Sequence, residues 1–194
     1  MSDLVVILLA AGQGRRYRAA GGGDKLLALY QGQPMVQHAA AAALATGLPV
    51  IAVIGHAASE VCAALKSLPL HFVSNAAFAS GLASSLQAGV AALEPGTKAA
   101  IIMLADMPEI RADVLLALAE EFGRHPSAYA LVPTYQGARG NPVLLNARAF
   151  GDVMQLVGDQ GARRLLAGRE DVIEVPVADG AILRDVDVPQ SPAS

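Results

Sequence analysis

Apolar residues along the chain fall into two alternating patterns. Short runs rich in β-branched residues predict buried strands at 4–9, 49–54, 71–74, 99–104, 128–133 and 172–177. Longer segments with helical apolar spacing predict helices at 34–46, 59–67, 84–93, 112–123 and 160–167. Continuous apolar strands that alternate with helices are typical of a mostly parallel sheet covered on both faces. We therefore expect an α/β fold with three Rossmann-like layers, in which residues 1–194 form a single domain and 189–194 a frayed tail.

The composition supports a large core and excludes several partners. Of the 194 residues, 54% are hydrophobic and 16% are charged, and the net charge is −3. The chain therefore has no basic excess to neutralise the phosphates of a nucleic acid. A single cysteine, Cys62, excludes an internal disulfide and cysteine-rich metal sites. No apolar run reaches the roughly 18 residues that cross a membrane. No basic segment precedes the first apolar run, so we expect a cytoplasmic protein.

The segment after the first predicted strand has an anion-binding pattern. It reads Leu9-Ala10-Ala11-Gly12-Gln13-Gly14-Arg15-Arg16, followed by Arg18 and Lys25. Glycines let the backbone approach a ligand closely, and arginine and lysine side chains match the oxygens of a triphosphate. A dinucleotide fingerprint is excluded because Tyr17 replaces the third glycine, and a Walker A loop because Lys25 lies between Asp24 and Leu26. The alternative is a solvated loop whose arginines serve solubility.

Carboxylates end two of the predicted strands. Asp106 follows the apolar run 99–104, while Asp185 and Asp187 lie on one face of a final strand that a hairpin turn at 178–180 precedes. Burying an unpaired carboxylate is costly, so Asp106 is expected either to bind a metal or to cap a helix. Mg²⁺ suits one or two carboxylates completed by phosphate and water oxygens. The four histidines are scattered and give no transition-metal pattern.

Three other polar segments are candidates for the site, and two of them directly follow predicted strands. In the segment 75–86, Ser84 or Ser85 is expected to cap the next helix, or the segment surrounds a nucleotide whose base edge the Asn75 amide reads. The segment 133–142 is either an ordinary hairpin or a ligand-binding loop. In the segment 158–164, Asp159 is a candidate helix cap, and Arg163 is a candidate to hold a phosphate of a ligand.

Together these segments resemble a known family. The run Leu9–Arg16 with Lys25 is similar to the Leu-Ala-Ala-Gly-x-Gly-x-Arg…Lys signature of small nucleotidyltransferases that act on the molybdenum cofactor. The nearest resemblance is to molybdenum cofactor cytidylyltransferases, because Ala11 replaces the glycine usual in guanylyltransferases. Residues 19–23 lengthen the loop, so it stays open which of its arginines faces the phosphates; we expect Arg16. The segment 185–189 resembles Asp-x-Asp-Thr-Pro, with valine in place of threonine.

This resemblance implies a nucleotidyltransferase fold and reaction. We expect CMP to pass from CTP to the phosphate of the molybdopterin cofactor, with pyrophosphate released, and a molybdenum hydroxylase or its maturation chaperone as a partner. The alternatives are GTP as donor, another small phosphorylated acceptor, or a non-catalytic nucleotide- or cofactor-binding protein. Expected catalytic residues are Arg16, Lys25 and Asp106, and expected Mg²⁺ ligands are Asp106 and Asp187. Expected nucleotide-binding residues are Leu9, Ala10, Ala11, Gly12, Gly14, Arg16, Lys25, Asn75, Gly81, Ser84 and Ser85. Expected acceptor-binding residues are Arg139, Gly140, Asn141, Asp159 and Arg163.

Overall fold

A computed structural model describes residues 3–186 and gives the predicted alternation of strands and helices. The strands are β1 (Leu4–Ala10), β2 (Leu29–Tyr30), β3 (Gln33–Pro34), β4 (Val50–Ile54), β5 (His71–Ser74), β6 (Ala99–Leu104), β7 (Ala130–Tyr135), β8 (Ala138–Arg139), β9 (Val143–Asn146) and β10 (Val172–Pro176). The α-helices are α1 (Arg15–Ala19), α2 (Met35–Leu44), α3 (Ala58–Leu65), α4 (Leu82–Ala91), α5 (Ala112–Arg124), α6 (Phe150–Val153) and α7 (Ala162–Leu166). Short 3₁₀ turns cover Lys25–Leu27, Phe78–Ser80, Ala147–Ala149 and Gly180–Leu183. Within residues 3–186, no helix is both long enough and apolar enough to cross a membrane.

The central sheet is mostly parallel, as predicted. Its strands lie in the order β10-β7-β9-β6-β1-β4-β5, with β8 paired to β7. The pairs β6–β1, β1–β4, β4–β5 and β7–β10 are parallel, whereas β9 is antiparallel to both β6 and β7. Strand β9 was not predicted, because its three apolar residues and Asn146 follow a polar segment and show no alternation. The parallel strands end at one edge of the sheet, where loops gather the polar residues.

Apolar side chains pack on both faces of the sheet. Along β1, Leu8 belongs to the cluster that also contains Leu118 of α5, whereas Ile7 belongs to the cluster that contains Leu86 of α4. Successive side chains of a strand point to opposite faces, which explains this alternation. Each fully buried leucine or isoleucine contributes about 1.5–3 kcal/mol. The two clusters therefore fix the three predicted layers.

The C-terminal part differs from the prediction. The segment 178–180 is not a hairpin turn, because Asp179 Oδ1 accepts a hydrogen bond from the Ala181 amide (2.9 Å) and caps the 3₁₀ turn Gly180–Leu183. Residues 184–186 form no strand, so the predicted final strand is wrong over its described part. Asp187, the predicted second metal ligand, and the predicted tail at 189–194 lie outside the described residues.

Candidate active site at the carboxyl edge of the sheet

The glycine-rich turn connects β1 to the short helix α1, which replaces the predicted loop. Gly14 adopts a left-handed conformation (φ 55°) just before α1. A Cβ atom on Gly14 would lie 2.8 Å from Lys25 Cβ. Glycine is needed at this position both for its positive φ and for the close approach of Lys25. The sequence motif therefore reflects a contact between the turn and the lysine that follows it.

Lys25 and Asp106 form an ion pair at the end of β6. Lys25 Nζ lies 2.6 Å from Asp106 Oδ2, and the two side chains are 8% and 25% exposed. Asp24 caps the turn that carries the lysine by accepting a hydrogen bond from the Leu26 amide (3.0 Å). A buried lysine needs an anion beside it, since an isolated buried charge is strongly destabilising. The fold thus brings together two of the three predicted catalytic residues.

A cavity of about 470 Å³ opens beside this pair, a size that suits a small-molecule ligand. Its walls come from the glycine-rich turn, the Lys25–Asp106 pair and the segment around Phe78–Leu82. The predicted site residues that line it are Leu9, Ala11, Gly12, Gly14, Arg16, Lys25, Gly81, Ser85, Asp106 and Asp159. Gln13 and Phe78 also line it, and no feature of the sequence singled them out as site residues. Ala10 does not, because it packs into the core with Leu8.

The structure narrows the choice among the loop arginines. Arg15 and Arg16 line the cavity. Arg18 does not; its Nη1 donates to His56 Nε2 at 3.1 Å, in the loop after β4. Arg15 also donates from Nε to Gln13 Oε1 (2.9 Å). The preference for Arg16 stays a prediction, with Arg15 as the other arginine in reach.

The Asn75 amide is occupied within the protein. Its Nδ2 donates to the hydroxyls of Ser84 (2.9 Å) and Ser85 (3.1 Å), and its Oδ1 accepts from the Ala77 amide (2.9 Å). Asn75 is 5% exposed and does not line the cavity. Neither serine caps α4, because the helix begins earlier, at Leu82. In this structure the three side chains hold the cavity wall in shape, and a direct base contact from Asn75 has no open donor to use.

Gly81 joins this wall to the loop that carries Asp159. It has φ 113°, and a Cβ there would lie 2.3 Å from the backbone carbon and oxygen of Gly158. The Gly158 carbonyl also accepts a hydrogen bond from the Ala83 amide (3.0 Å). Asp159 does not cap α7, which begins after Gly161 without a side-chain cap. Asp159 instead reaches the cavity, far along the chain from the other lining residues.

The remaining predicted acceptor residues lie away from the cavity. Arg139 of β8 donates from Nε to Glu174 Oε1 (2.8 Å), while the Gly140 and Asn141 amides bond to Pro133 and Ile182 carbonyls. The segment 133–142 thus contains an ordinary hairpin between β7 and β8, one of the two alternatives that the sequence left open. Arg163 is exposed on α7 and does not line the cavity either.

A full set of metal ligands is not assembled by the described residues. Within residues 3–186, no three His, Cys, Asp or Glu side chains cluster in a way that could hold a metal ion. Asp106 and Asp159 are the acidic residues of the described cavity lining. The Val186 amide donates to the Asp106 carbonyl (3.1 Å), so the described chain ends beside the predicted metal ligand.

The comparison with known families agrees with this geometry. The sequence model of the family described as "MobA-like NTP transferase domain" matches residues 6–173. The chain belongs to this family. The match includes the glycine-rich turn, Lys25, Asp106 and Asp159, so the cavity lies within the MobA-like domain. The protein is accordingly a MobA-like nucleotidyltransferase.

Sequence relatives of this MobA-like protein have names that refer to different activities. It is 34% identical to nicotine blue oxidoreductase of Paenarthrobacter nicotinovorans, over 93% of this chain and 90% of that protein. It is 31% identical to the purine catabolism protein PucB of Bacillus subtilis, over 96% and 93%. Among solved structures, it is similar to Rv0371c of Mycobacterium tuberculosis (28% identity, 95% and 93% covered, TM-score 0.82). A complex of Rv0371c with manganese also matches (25% identity, 91% and 89% covered, TM-score 0.74).

Proposed function

We propose that the protein transfers CMP from CTP to the terminal phosphate of the molybdenum cofactor and releases pyrophosphate. The observation that carries the proposal is the Lys25–Asp106 pair, at 2.6 Å, in the wall of a cavity that the glycine-rich turn also lines. Ala11, which distinguishes the cytidylyl signature from the guanylyl one, lies in the same wall. The choice of CTP and of the acceptor rests on this resemblance.

The chemistry requires alignment of two anions rather than a strong base. An oxygen of the acceptor phosphate forms a bond to the α-phosphorus of CTP, while the bond from that phosphorus to the bridging oxygen of the β-phosphate breaks. A phosphate monoester is mostly dianionic at neutral pH, since its second pKa is about 6, so no general base is needed. Lys25 and Arg16 reduce the repulsion between the anions.

The residues present fit a divalent cation. Asp106 is partly exposed at the cavity, and among the described residues its Oδ1 has no hydrogen-bond partner. One such oxygen suits Mg²⁺, which in proteins is often held by one or two carboxylates and by substrate phosphates. We propose Asp106 and Asp187 as its ligands; the manganese complex of Rv0371c supports a divalent ion. When bound, the cation neutralises charge on the triphosphate.

A donor panel tests the proposal. The full chain is incubated with molybdopterin cofactor, a divalent cation and CTP, GTP, ATP or UTP in turn, and pyrophosphate is measured. We expect release with CTP at a rate at least about tenfold above that with GTP. Release with GTP alone contradicts the choice of donor. Release only with a sugar or alcohol phosphate contradicts the choice of acceptor, and tight CTP binding without release contradicts catalysis.

A redox reaction in the same cavity is the second candidate. The name of the relative from Paenarthrobacter nicotinovorans favours it. The glycine-rich turn lacks the third glycine of a dinucleotide fingerprint, so the pyrophosphate of a nicotinamide dinucleotide would bind there only as an anion, through backbone amides and cationic side chains. The same protein is therefore incubated with a reduced nicotinamide dinucleotide and a quinoid dye, and the nicotinamide absorbance is followed. Dye-dependent oxidation without any nucleotide transfer favours this candidate over the first.

A further inference from the structure

A chain of polar contacts outside the cavity lining joins three separate segments. Glu109 Oε1 accepts a hydrogen bond from the Tyr30 hydroxyl (2.7 Å), and Glu109 Oε2 pairs with Arg184 Nη2 (2.5 Å). Arg184 also lies 3.7 Å from Asp179 Oδ1. We refer to Tyr30, Glu109 and Arg184 as the clasp.

Each clasp residue is close in sequence to one charged residue of the proposed site. Tyr30 follows Lys25 by five positions and Glu109 follows Asp106 by three, while Arg184 precedes Asp187 by three. The hydrogen bond from the Val186 amide to the Asp106 carbonyl (3.1 Å) joins two of these segments directly. The clasp therefore ties together the segments that carry Lys25, Asp106 and the approach to Asp187.

One end of the clasp is firmly held. Tyr30 is 8% exposed, its ring meets the His38 ring edge-on at 5.5 Å, and its carbonyl accepts from His38 Nε2 (2.7 Å). The hydrogen bond to Glu109 raises the pKa of the Tyr30 phenol above its usual value, so the hydroxyl stays protonated, and able to donate, to a higher pH than that of a free tyrosine. Glu109 is thus anchored on the side of Lys25.

The other end contributes little to stability. The Arg184 side chain is 60% exposed, and exposed ion pairs contribute about 0–1 kcal/mol. The contact nevertheless has a geometric effect, because residues 184–186 form no helix or strand that would hold them otherwise. The main consequence of the Arg184–Glu109 contact is therefore the position of residues 184–186 beside Asp106.

We propose that Glu109 is a positioning residue that, through Arg184, holds the segment 184–186 against Asp106 and so sets the affinity for a divalent cation bound with the nucleotide. The proposal rests on the proposed function for the identity of the bound group. The claim that Glu109 holds the segment 184–186 against Asp106 can be tested without any nucleotide transfer.

Glu109→Gln tests both parts, because it removes the charge that Arg184 pairs with and keeps the shape of the side chain. Hydrogen exchange at the Val186 amide, followed by NMR, is expected to become at least about fivefold faster. The reason is that the segment carrying this amide is no longer held against the Asp106 carbonyl. Mn²⁺ affinity in the presence of CTP, measured by electron paramagnetic resonance of free Mn²⁺, is expected to fall about tenfold, as for other residues that orient metal ligands. The kcat at saturating Mn²⁺ is expected to stay within about twofold of the wild-type value, because the reacting groups are unchanged.

Glu121→Gln is the matched control. Glu121 also has two partners, Arg124 Nη1 (2.8 Å) and His125 Nε2 (3.0 Å), at the C-terminal end of α5. It should change neither Val186 exchange nor Mn²⁺ affinity. Arg184→Gln should reproduce Glu109→Gln, and the double variant should be no worse than either, because all three break one link.

Three results overturn the inference. They are wild-type exchange at Val186 in Glu109→Gln, wild-type Mn²⁺ affinity in that variant, or an equal loss of affinity in Glu121→Gln. Absence of nucleotide transfer by the wild-type protein counts instead against the proposed function, and Val186 exchange still decides whether the clasp positions the segment.

Discussion

Two lysine–aspartate pairs lie at opposite edges of the strands β1 and β6. At the carboxyl edge, Lys25 Nζ and Asp106 Oδ2 are 2.6 Å apart; at the amino edge, Lys98 Nζ and Asp3 Oδ2 are 2.7 Å apart. The first pair lies in a cavity wall, whereas the side chains of the second are more than 60% exposed. Similar distances therefore describe different interactions, because burial reduces the screening by water that weakens the exposed pair.

Other charged groups at the amino edge satisfy one another. The Tyr129 hydroxyl donates to Asp152 Oδ2 (2.7 Å), and the Arg169 guanidinium lies 3.4 Å above the Tyr129 ring. Arg169 also donates to both Asp171 oxygens (2.9 and 3.1 Å) and so lowers the pKa of that carboxyl group. Polar groups at this edge therefore bond to one another, while Lys25 and Asp106 at the carboxyl edge line a cavity.

Asp106→Asn should have the largest effect. It removes the proposed cation ligand, so we expect pyrophosphate release from CTP to fall at least about 100-fold, which is typical of losing an electrostatic group in an active site. Asp3→Asn is the matched control at the amino edge and should leave the rate unchanged. Unchanged turnover in Asp106→Asn would remove this residue from the mechanism.

Lys25→Met should weaken nucleotide binding next. A hydrogen bond to a charged group contributes about 1.5–3 kcal/mol, so the CTP dissociation constant should rise at least about tenfold in calorimetric titration. Lys98→Met makes the same substitution in the exposed pair and should leave the CTP dissociation constant within about twofold of the wild-type value. Equal effects of the two variants would mean that the burial of Lys25 has no functional consequence.

Gly81→Ala should destabilise the cavity wall. The new Cβ would meet the Gly158 backbone at 2.3 Å, in addition to the strain of φ 113°. Gly96, in the loop before β6, also has a positive φ (94°) but no atom within 4 Å of the added Cβ. In urea unfolding we expect Gly81→Ala to cost about 2 kcal/mol more than Gly96→Ala, the usual scale of overpacking. Equal costs would assign the whole effect to backbone strain.

Tyr129→Phe should have the smallest effect and none on activity. The lost hydrogen bond to Asp152 should cost about 1–2 kcal/mol of unfolding free energy. Burial, followed by the Asp152 bond, raises the pKa of Tyr129 to about 12 from its usual 10.0. A raised phenol pKa stabilises the protonated folded state, so this stabilisation is complete below pH 10 and is lost as the pH rises to about 12. The urea midpoint should therefore fall over this range in the wild type, and fall less in Tyr129→Phe.

More of the fold than of the candidate site could be predicted from the sequence. The six strands predicted from apolar runs are present within a few residues, because each is a local apolar run between turn residues. Strand β9 was not predicted because its four buried residues show no alternation of apolar and polar positions. The predicted final strand is wrong over its described residues, 184–186, because Asp179 caps a 3₁₀ turn that resembles a hairpin turn in sequence. At the site, Arg18 and Asn75 look like ligand-binding groups in sequence, yet their hydrogen bonds go to His56 and to Ser84 and Ser85.

The sequence alone determined the α/β class, the glycine-rich turn, and the candidate lysine and aspartate, Lys25 and Asp106. These features depend on local periodicity and on turn chemistry, which neighbouring residues specify. Only the tertiary structure decided that Lys25 meets Asp106 across 81 positions of chain, and that Glu109 links Tyr30 to Arg184. Such contacts follow from the order of strands in the sheet, which depends on the packing of the whole core and on no single segment.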